Sequence, residues 1–198
     1  MKPLRRVMDK LKKASVWTEA GYDLFAAEGL EGIQIERLAR ILQLNKSGFY
    51  HYFGDLEIFC QELLKLHEKK ATVYFSEIRE IKSIDPEYLC VIVKYKTEFM
   101  FHRQLLLCPN HSSFYNAAKK LDGLADIFLR DLWSDYLGLS EHPDLAVRYF
   151  DIVRDMFFAR INFKNFNYPF LHNLITEAKM VMQQIAEVNK LKADESVF

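Results

Sequence analysis

The chain has 198 residues, half of them hydrophobic, enough to bury a sizeable core in one compact unit or in a small head on a larger body. Its 27 Lys and Arg balance 27 Asp and Glu, so any attraction to nucleic acid has to come from local clustering and not from a net field. Cys60, Cys90 and Cys108 are too far apart and too few for a disulfide framework or a paired metal knuckle, and no apolar run approaches the roughly 20 residues of a membrane span, which fits a soluble protein in a reducing cytoplasm.

Five prolines and seven glycines leave few interruptions, and nothing alternates long enough to argue a sheet, so the expected fold class is all-α. The chain opens on Lys2, Arg5, Arg6, Lys10, Lys12 and Lys13, opposed only by Asp9. This run lacks the apolar core of a signal peptide and reads either as a solvated helix start or as a phosphate contact. A first helix is expected over 10–28, with Trp17, Ala20, Leu24 and Phe25 on one face, Trp17 in the core and Gly29 ending it.

The stretch from Ile33 to Phe53 is the one around which the rest of the chain is organised. Ile35, Leu38, Ala39 and Leu42 recur at i, i+3, i+4 and i+7, one buried helical stripe. The pattern breaks at Gln43-Leu44-Asn45, where Leu44 is expected to plug the gap beneath the helices and Asn45 to cap a new one. Phe49 and Phe53 then share one side of this second helix, leaving Lys46, Ser47, Tyr50, His51 and Tyr52 largely on the other. Two short helices joined by a three-residue turn describe a helix-turn-helix, whose second helix enters a major groove of double-stranded DNA.

Asp55 is expected to cap a long helix to about residue 80, with Ile58, Phe59, Leu63, Leu66, Val73 and Ile78 on its apolar face. Ser83-Ile84-Asp85-Pro86 reads as a cap followed by Pro at the first position of a helix running to about residue 103. Further helices are expected over 112–136, closed by Gly138, then over 144–163 and 169–191, with a frayed tail after them. The last two are apolar over more than one stripe. Tyr149, Ile152, Val153 and Met156 on one, with Leu174, Ala178, Val181 and Ile185 on the other, serve either a well-buried pair or a four-helix interface with a second copy.

The order WTEAGYDLFAAEGLEGIQIERLARILQLNKSGFYHYFGDLEIF, from Trp17 to Phe59, resembles the amino-terminal domain of TetR-type transcriptional regulators, one-component bacterial repressors. Leu24-Phe25, Gly29, Leu38-Ala39, Tyr50, Tyr52 and Phe53 carry the resemblance, over about the first third of the chain. It implies a DNA-binding domain over 1–54 and a larger helical-bundle domain over 55–198 for ligand binding and dimerisation. It places Tyr50 and Tyr52 on the DNA backbone and Lys46, Gly48 and His51 at base-facing positions. Gln34 and Arg37 are candidates for phosphate, and Asn45 and Ser47 stand where free amides attract it.

The chain departs from the family at four places. Ile33 and Gln34 replace the usual helix-starting hydroxyl residue, Gln43 the frequent turn glycine, Leu56 the lysine at the start of the fourth helix, and Gly48 a small hydroxyl residue. The phosphate grip is therefore expected to be weaker or differently built.

TetR-like bodies enclose an apolar cavity, which makes Tyr95, Phe99, His102, Arg103, His111 and Phe128 pocket candidates for a small effector, although such an aromatic stripe is first of all core. The chain has no Gly-rich phosphate loop, Gly-x-Ser-x-Gly or His-Glu-x-x-His motif, and Cys108-Pro-Asn-His111 with His102 lacks further metal ligands. No enzyme activity, metal or cofactor is expected. The resulting reading is a homodimeric repressor released by a largely apolar ligand. The competing one is a helical ligand-binding or interaction protein of the same fold that has lost specific DNA binding.

Overall fold

The computed structural model describes the backbone of residues 2–195 and the side chains of residues 13–185. The described residues are all-α, with no strand: α1 (Lys2–Glu28), α2 (Ile35–Leu42), α3 (Lys46–Phe53), α4 (Leu56–Ile78), α5 (Leu89–Lys94), α6 (Lys96–Leu106), α7 (Ser112–Leu137), α8 (Pro143–Arg160) and α9 (Tyr168–Glu195).

Several elements differ from the sequence expectation. The first helix begins at Lys2 and not near residue 10, and the last runs on to Glu195 through part of the expected tail. Ser83 caps nothing with its side chain. Asp85 stands before Pro86, which pushes it to an extended conformation (φ −121°, ψ 122°), so regular helix waits until Leu89. The helix expected to run to residue 103 breaks at Tyr95 (φ −95°, ψ 29°), where the phenol donates to Glu77 at 2.8 Å and Lys94 reaches the same carboxylate at 2.6 Å. Along α4, Ile58 and Val73 are exposed, and the buried line is Phe59, Leu63, His67, Ala71, Tyr74, Phe75 and Ile78.

The chain forms two compact units, one of Met1–Val73 with Thr97–Leu121 and the other of Tyr74–Lys96 with Asp122–Phe198. In the first, α1 is the central element. Tyr22 stacks on Phe101 of α6 with centroids 4.2 Å apart, and Phe25 packs on Phe101 at 4.5 Å and edge-on to Phe114 at 5.5 Å. Burying each such ring contributes about 1.5–3 kcal/mol. The approach of α1 to α4 needs a residue without a side chain, because a Cβ on Gly21 would lie 2.4 Å from the Phe59 ring.

In the second unit α7, α8 and α9 carry the core. Trp133 meets Phe150 edge-on at 5.4 Å, and Val153, Phe157, Leu174 and Ala178 are buried. The Tyr149 hydroxyl donates to the Ala178 carbonyl at 2.8 Å, tying α8 to α9. Arg154 stands among Asp122, Asp126 and Asp151, with its guanidinium over the Phe150 ring.

Candidate nucleic-acid interface

The turn between α2 and α3 is closed by the backbone. The Leu44 N–H donates to the Ala39 carbonyl at 2.9 Å and the Gln43 N–H to the Arg40 carbonyl at 3.2 Å, the paired closure of a Schellman motif. That closure needs a left-handed residue, and Gln43 takes the position at φ 55°, ψ 39°. A side chain there costs roughly 1 kcal/mol relative to Gly. The reversal also turns Leu44 outward, 44 % exposed, so it does not plug the gap beneath the helices as its hydrophobicity suggested. Leu38, Ala39 and Phe49 are the residues buried on α2 and α3 beside the turn.

Asn45 stands at the N-cap of α3 in an extended conformation, but its side chain caps no amide; only its carbonyl accepts, from Gly48 at 2.9 Å. The first amides of α3 therefore keep their capacity for an outside acceptor such as phosphate. Gln34 holds the same place before α2, exposed and equally without a side-chain cap. At α4 the situation reverses, since the Asp55 carboxylate takes the Ile58 amide at 2.8 Å and sets a negative charge at that helix start, next to Leu56.

One side of α3 is locked into the core. Phe49 meets Trp17 edge-on at 5.6 Å and Phe59 at 5.0 Å, and Phe53 meets Phe59 at 4.8 Å. The other side carries exposed Lys46, Ser47, Tyr50 and His51, with Tyr52 half-buried at its edge beside His51. Gly48 lies between them. Among the described residues, a Cβ there would meet only the Trp17 ring at 3.9 Å, an ordinary contact, so their packing does not call for glycine. Glycine inside a helix costs about 1 kcal/mol relative to alanine, and this helix carries that cost with no return from the described residues.

Two cations of this surface, Lys46 and Arg37, are paired. Lys46 Nζ donates to Glu36 Oε1 at 2.9 Å, joining the starts of α3 and α2. This hydrogen bond holds the Glu36 carboxyl below its ordinary range and raises the Lys46 ammonium. Arg37 forks onto both oxygens of Glu28 at the end of α1, one contact being 2.6 Å, which likewise lowers the carboxyl and raises the guanidinium. Neither acid is marked in the sequence, because pairs nine and ten residues apart across a turn obey no helical spacing. Lys2, Arg5, Arg6, Lys10 and Lys12 lie outside the residues whose side chains are described; Lys13 is exposed.

A buried polar chain joins α1, α4 and α6. The Tyr22 hydroxyl on α1 and His67 Nδ1 on α4 are 2.7 Å apart, and His67 Nε2 is 3.5 Å from His102 Nδ1 on α6. Burial raises the Tyr22 phenol, which keeps it protonated, and the His67 tautomer sets which of the two donates. Burial, with help from His102 and Lys70, pushes His67 well below 6.5, so its imidazole is neutral. The chain links three helices of the first unit. A histidine on the otherwise apolar line of α4 is the only sequence signal for it.

The pocket candidates divide between the units. Phe99, His102, Arg103 and His111 belong to the first, and Tyr95 and Phe128 to the second. His111 stacks on Phe114 at 3.8 Å, while Phe128 stacks on Phe75 at 5.3 Å beneath the Arg79 guanidinium. Burial raises the Cys60 thiol to about 11 and also raises Cys108, which disfavours the thiolate a metal needs. Of the interface candidates, Val153, Leu174 and Ala178 are buried within the chain itself, and Tyr149 and Met156 are half-buried. Ile152, Val181 and Ile185 remain outside, 55 %, 46 % and 48 % exposed.

No protein-family profile matches the chain. It is 24 % identical over 163 residues to an HTH-type transcriptional regulator of Staphylococcus aureus (strain MRSA252), covering 80 % of this chain and 82 % of that protein. A second HTH-type transcriptional regulator, from Staphylococcus aureus (strain bovine RF122 / ET3-1), is 25 % identical over 131 residues, covering 64 % of this chain and 66 % of the relative. No described helix is long and apolar enough to cross a membrane.

Proposed function

We propose that this chain is a DNA-binding transcriptional regulator of the TetR type, acting as a homodimeric repressor that a small, largely apolar ligand releases from its operator. The observation that carries the reading is the outer face of α3. It presents Lys46, Ser47, Tyr50 and His51 around a glycine that packing among the described residues does not require. A bare helix backbone ringed by donors suits close approach to a groove. The names of the two relatives support a regulator that uses a helix-turn-helix.

In mechanism, Tyr50 and Tyr52 hold phosphates, and the free amides at Lys46 and Ser47 add a further anion contact. Lys46 and His51 face base edges. Exposed Ile152, Val181 and Ile185 meet their copies, so that two heads address half-sites about one helical turn apart. A ligand that prefers one conformation of the body shifts the population of DNA-competent heads by its difference in affinity between the two states. The Tyr22–His67–His102 chain offers a route by which displacement of α4 or α6 reaches α1.

The test is fluorescence anisotropy against duplex from upstream of the protein's own gene, at two salt concentrations, with Lys46→Ala and Tyr50→Ala alongside. Sequence-preferring, salt-sensitive binding is expected. Tyr50→Ala should weaken binding to all sequences alike and leave the salt slope nearly unchanged, because a neutral phenol releases no counterion, while Lys46→Ala should cost about 1–3 kcal/mol on the preferred duplex. Absence of salt-dependent binding to any duplex rules the regulator out. That outcome favours the alternative of a ligand-binding or interaction protein, to which the internal pairing of Arg37 and Lys46 lends some weight.

A further inference from the structure

We propose that Glu36 and Lys46 act as one reading unit for a G·C base pair, which makes Glu36 a specificity-determining residue; this rests on the regulator reading. The ion pair holds a donor, Lys46 Nζ, and an acceptor, Glu36 Oε1, 2.9 Å apart at the starts of α3 and α2, with the two side chains 53 % and 69 % exposed. In the major groove a G·C pair shows the mirror of that arrangement: guanine O6 accepts and the neighbouring cytosine N4–H donates. Those two base atoms are themselves hydrogen-bonded, so they too lie about 2.9 Å apart. The side-chain pair can dock edge to edge on the base pair without separating. Lys46 then donates to O6 and N7, and a Glu36 oxygen accepts from N4.

Other base pairs fit less well. In the same orientation an A·T pair sets the adenine N6–H against the ammonium and thymine O4 against the carboxylate, like against like. A T·A pair restores the order but puts the thymine methyl beside O4 and takes N7 away from the lysine. Because the docked unit is neutral, base recognition here does not require the carboxylate to be left alone beside phosphates. The neighbouring Arg37–Glu28 pair has a different geometry. Its terminal nitrogens are both engaged on both carboxylate oxygens, and it braces the end of α1 against α2.

The experiment is selection of binding sites from a random duplex library by the full-length wild type, Glu36→Ala, Glu36→Gln and Lys46→Ala, with helicity checked by circular dichroism. The wild type should enrich a motif containing a G·C pair that depends on both residues. Glu36→Ala and Lys46→Ala should relax preference at that same position by about five-fold or more and leave the others in place. Glu36→Gln keeps a neutral acceptor and should retain part of the preference. The proposal is overturned if Lys46→Ala relaxes a position that Glu36→Ala leaves untouched, or if the two relax different positions. It is equally overturned if Glu36→Ala only tightens binding to every duplex alike, which would make Glu36 a plain counter-charge. A folded wild type that enriches no motif removes the regulator reading itself, an outcome distinct from the other three.

Discussion

On α3 folding leaves lysine, serine, tyrosine and histidine outside, around a bare glycine; on α8 and α9 it leaves aliphatic side chains. Leu145 and Ile152 are seven residues apart on one line of α8, and Val181 and Ile185 four apart on one line of α9. Each helix in both regions has its opposite side committed to a core. What differs is the chemistry of the surplus, and so the kind of partner each surface suits. Polar donors beside free amides suit phosphates and base edges, where hydrogen bonds and charge do the selecting. Exposed aliphatic lines gain from association through burial of apolar area, about 25 cal/mol per Å2.

Aspartate substitutions on adjacent α8 positions should separate core from surface most sharply. Val153→Asp places a charge in the buried line and should cost about 4 kcal/mol or more in urea unfolding. Ile152→Asp, one residue earlier and 55 % exposed, should leave unfolding of the dissociated protomer, measured at a protein concentration low enough to separate the copies, within about 0.5 kcal/mol of wild type. In sedimentation it should weaken self-association by about ten-fold or more. An Ile152→Asp protein with unchanged self-association would remove this line from the proposed dimer contact.

The buried histidine sharpens the comparison from the side of the first unit. His67 is held neutral by burial, with a folded pKa well below 6.5, so below about pH 6.5 the unfolded chain binds a proton that the folded chain refuses. Stability should therefore fall as pH drops from that point toward the folded value, by up to about 1.4 kcal/mol per pH unit from this residue. Urea midpoints at pH 7.0 and 5.5 for wild type and His67→Gln check it. The variant should lose less stability over that interval, and an equal loss would mean that other groups carry the acid sensitivity.

The smallest expected effect is the most specific to the reading surface. Gly48→Ala should stabilise the protein by up to about 1 kcal/mol, because among the described residues the added methyl meets only an ordinary contact with Trp17 while helix propensity improves. The same substitution should weaken duplex binding in anisotropy. Stabilisation without any loss of binding would show that the helix backbone at this position does not approach the groove.

The all-α class, the helix-turn-helix and the burial of Trp17, Phe49 and Phe53 come from local pattern alone, because a 3.6-residue period and a turn signal act over a few neighbours. The cap at Asp55 is legible for the same reason. Leu44 is not, since whether a turn residue points in or out depends on the left-handed closure at Gln43. The break at Tyr95 leaves no local mark because its phenol and Lys94 both turn to Glu77, well back along the chain. Among the interface candidates, periodicity marks which residues are apolar but not which of two apolar stripes the chain uses for itself. Only packing divides Val153, Leu174 and Ala178 from Ile152, Val181 and Ile185. The Glu36–Lys46 pair and the Tyr22–His67–His102 chain likewise belong to tertiary structure, because they join residues on different helices whose separation in sequence carries no fixed distance in space.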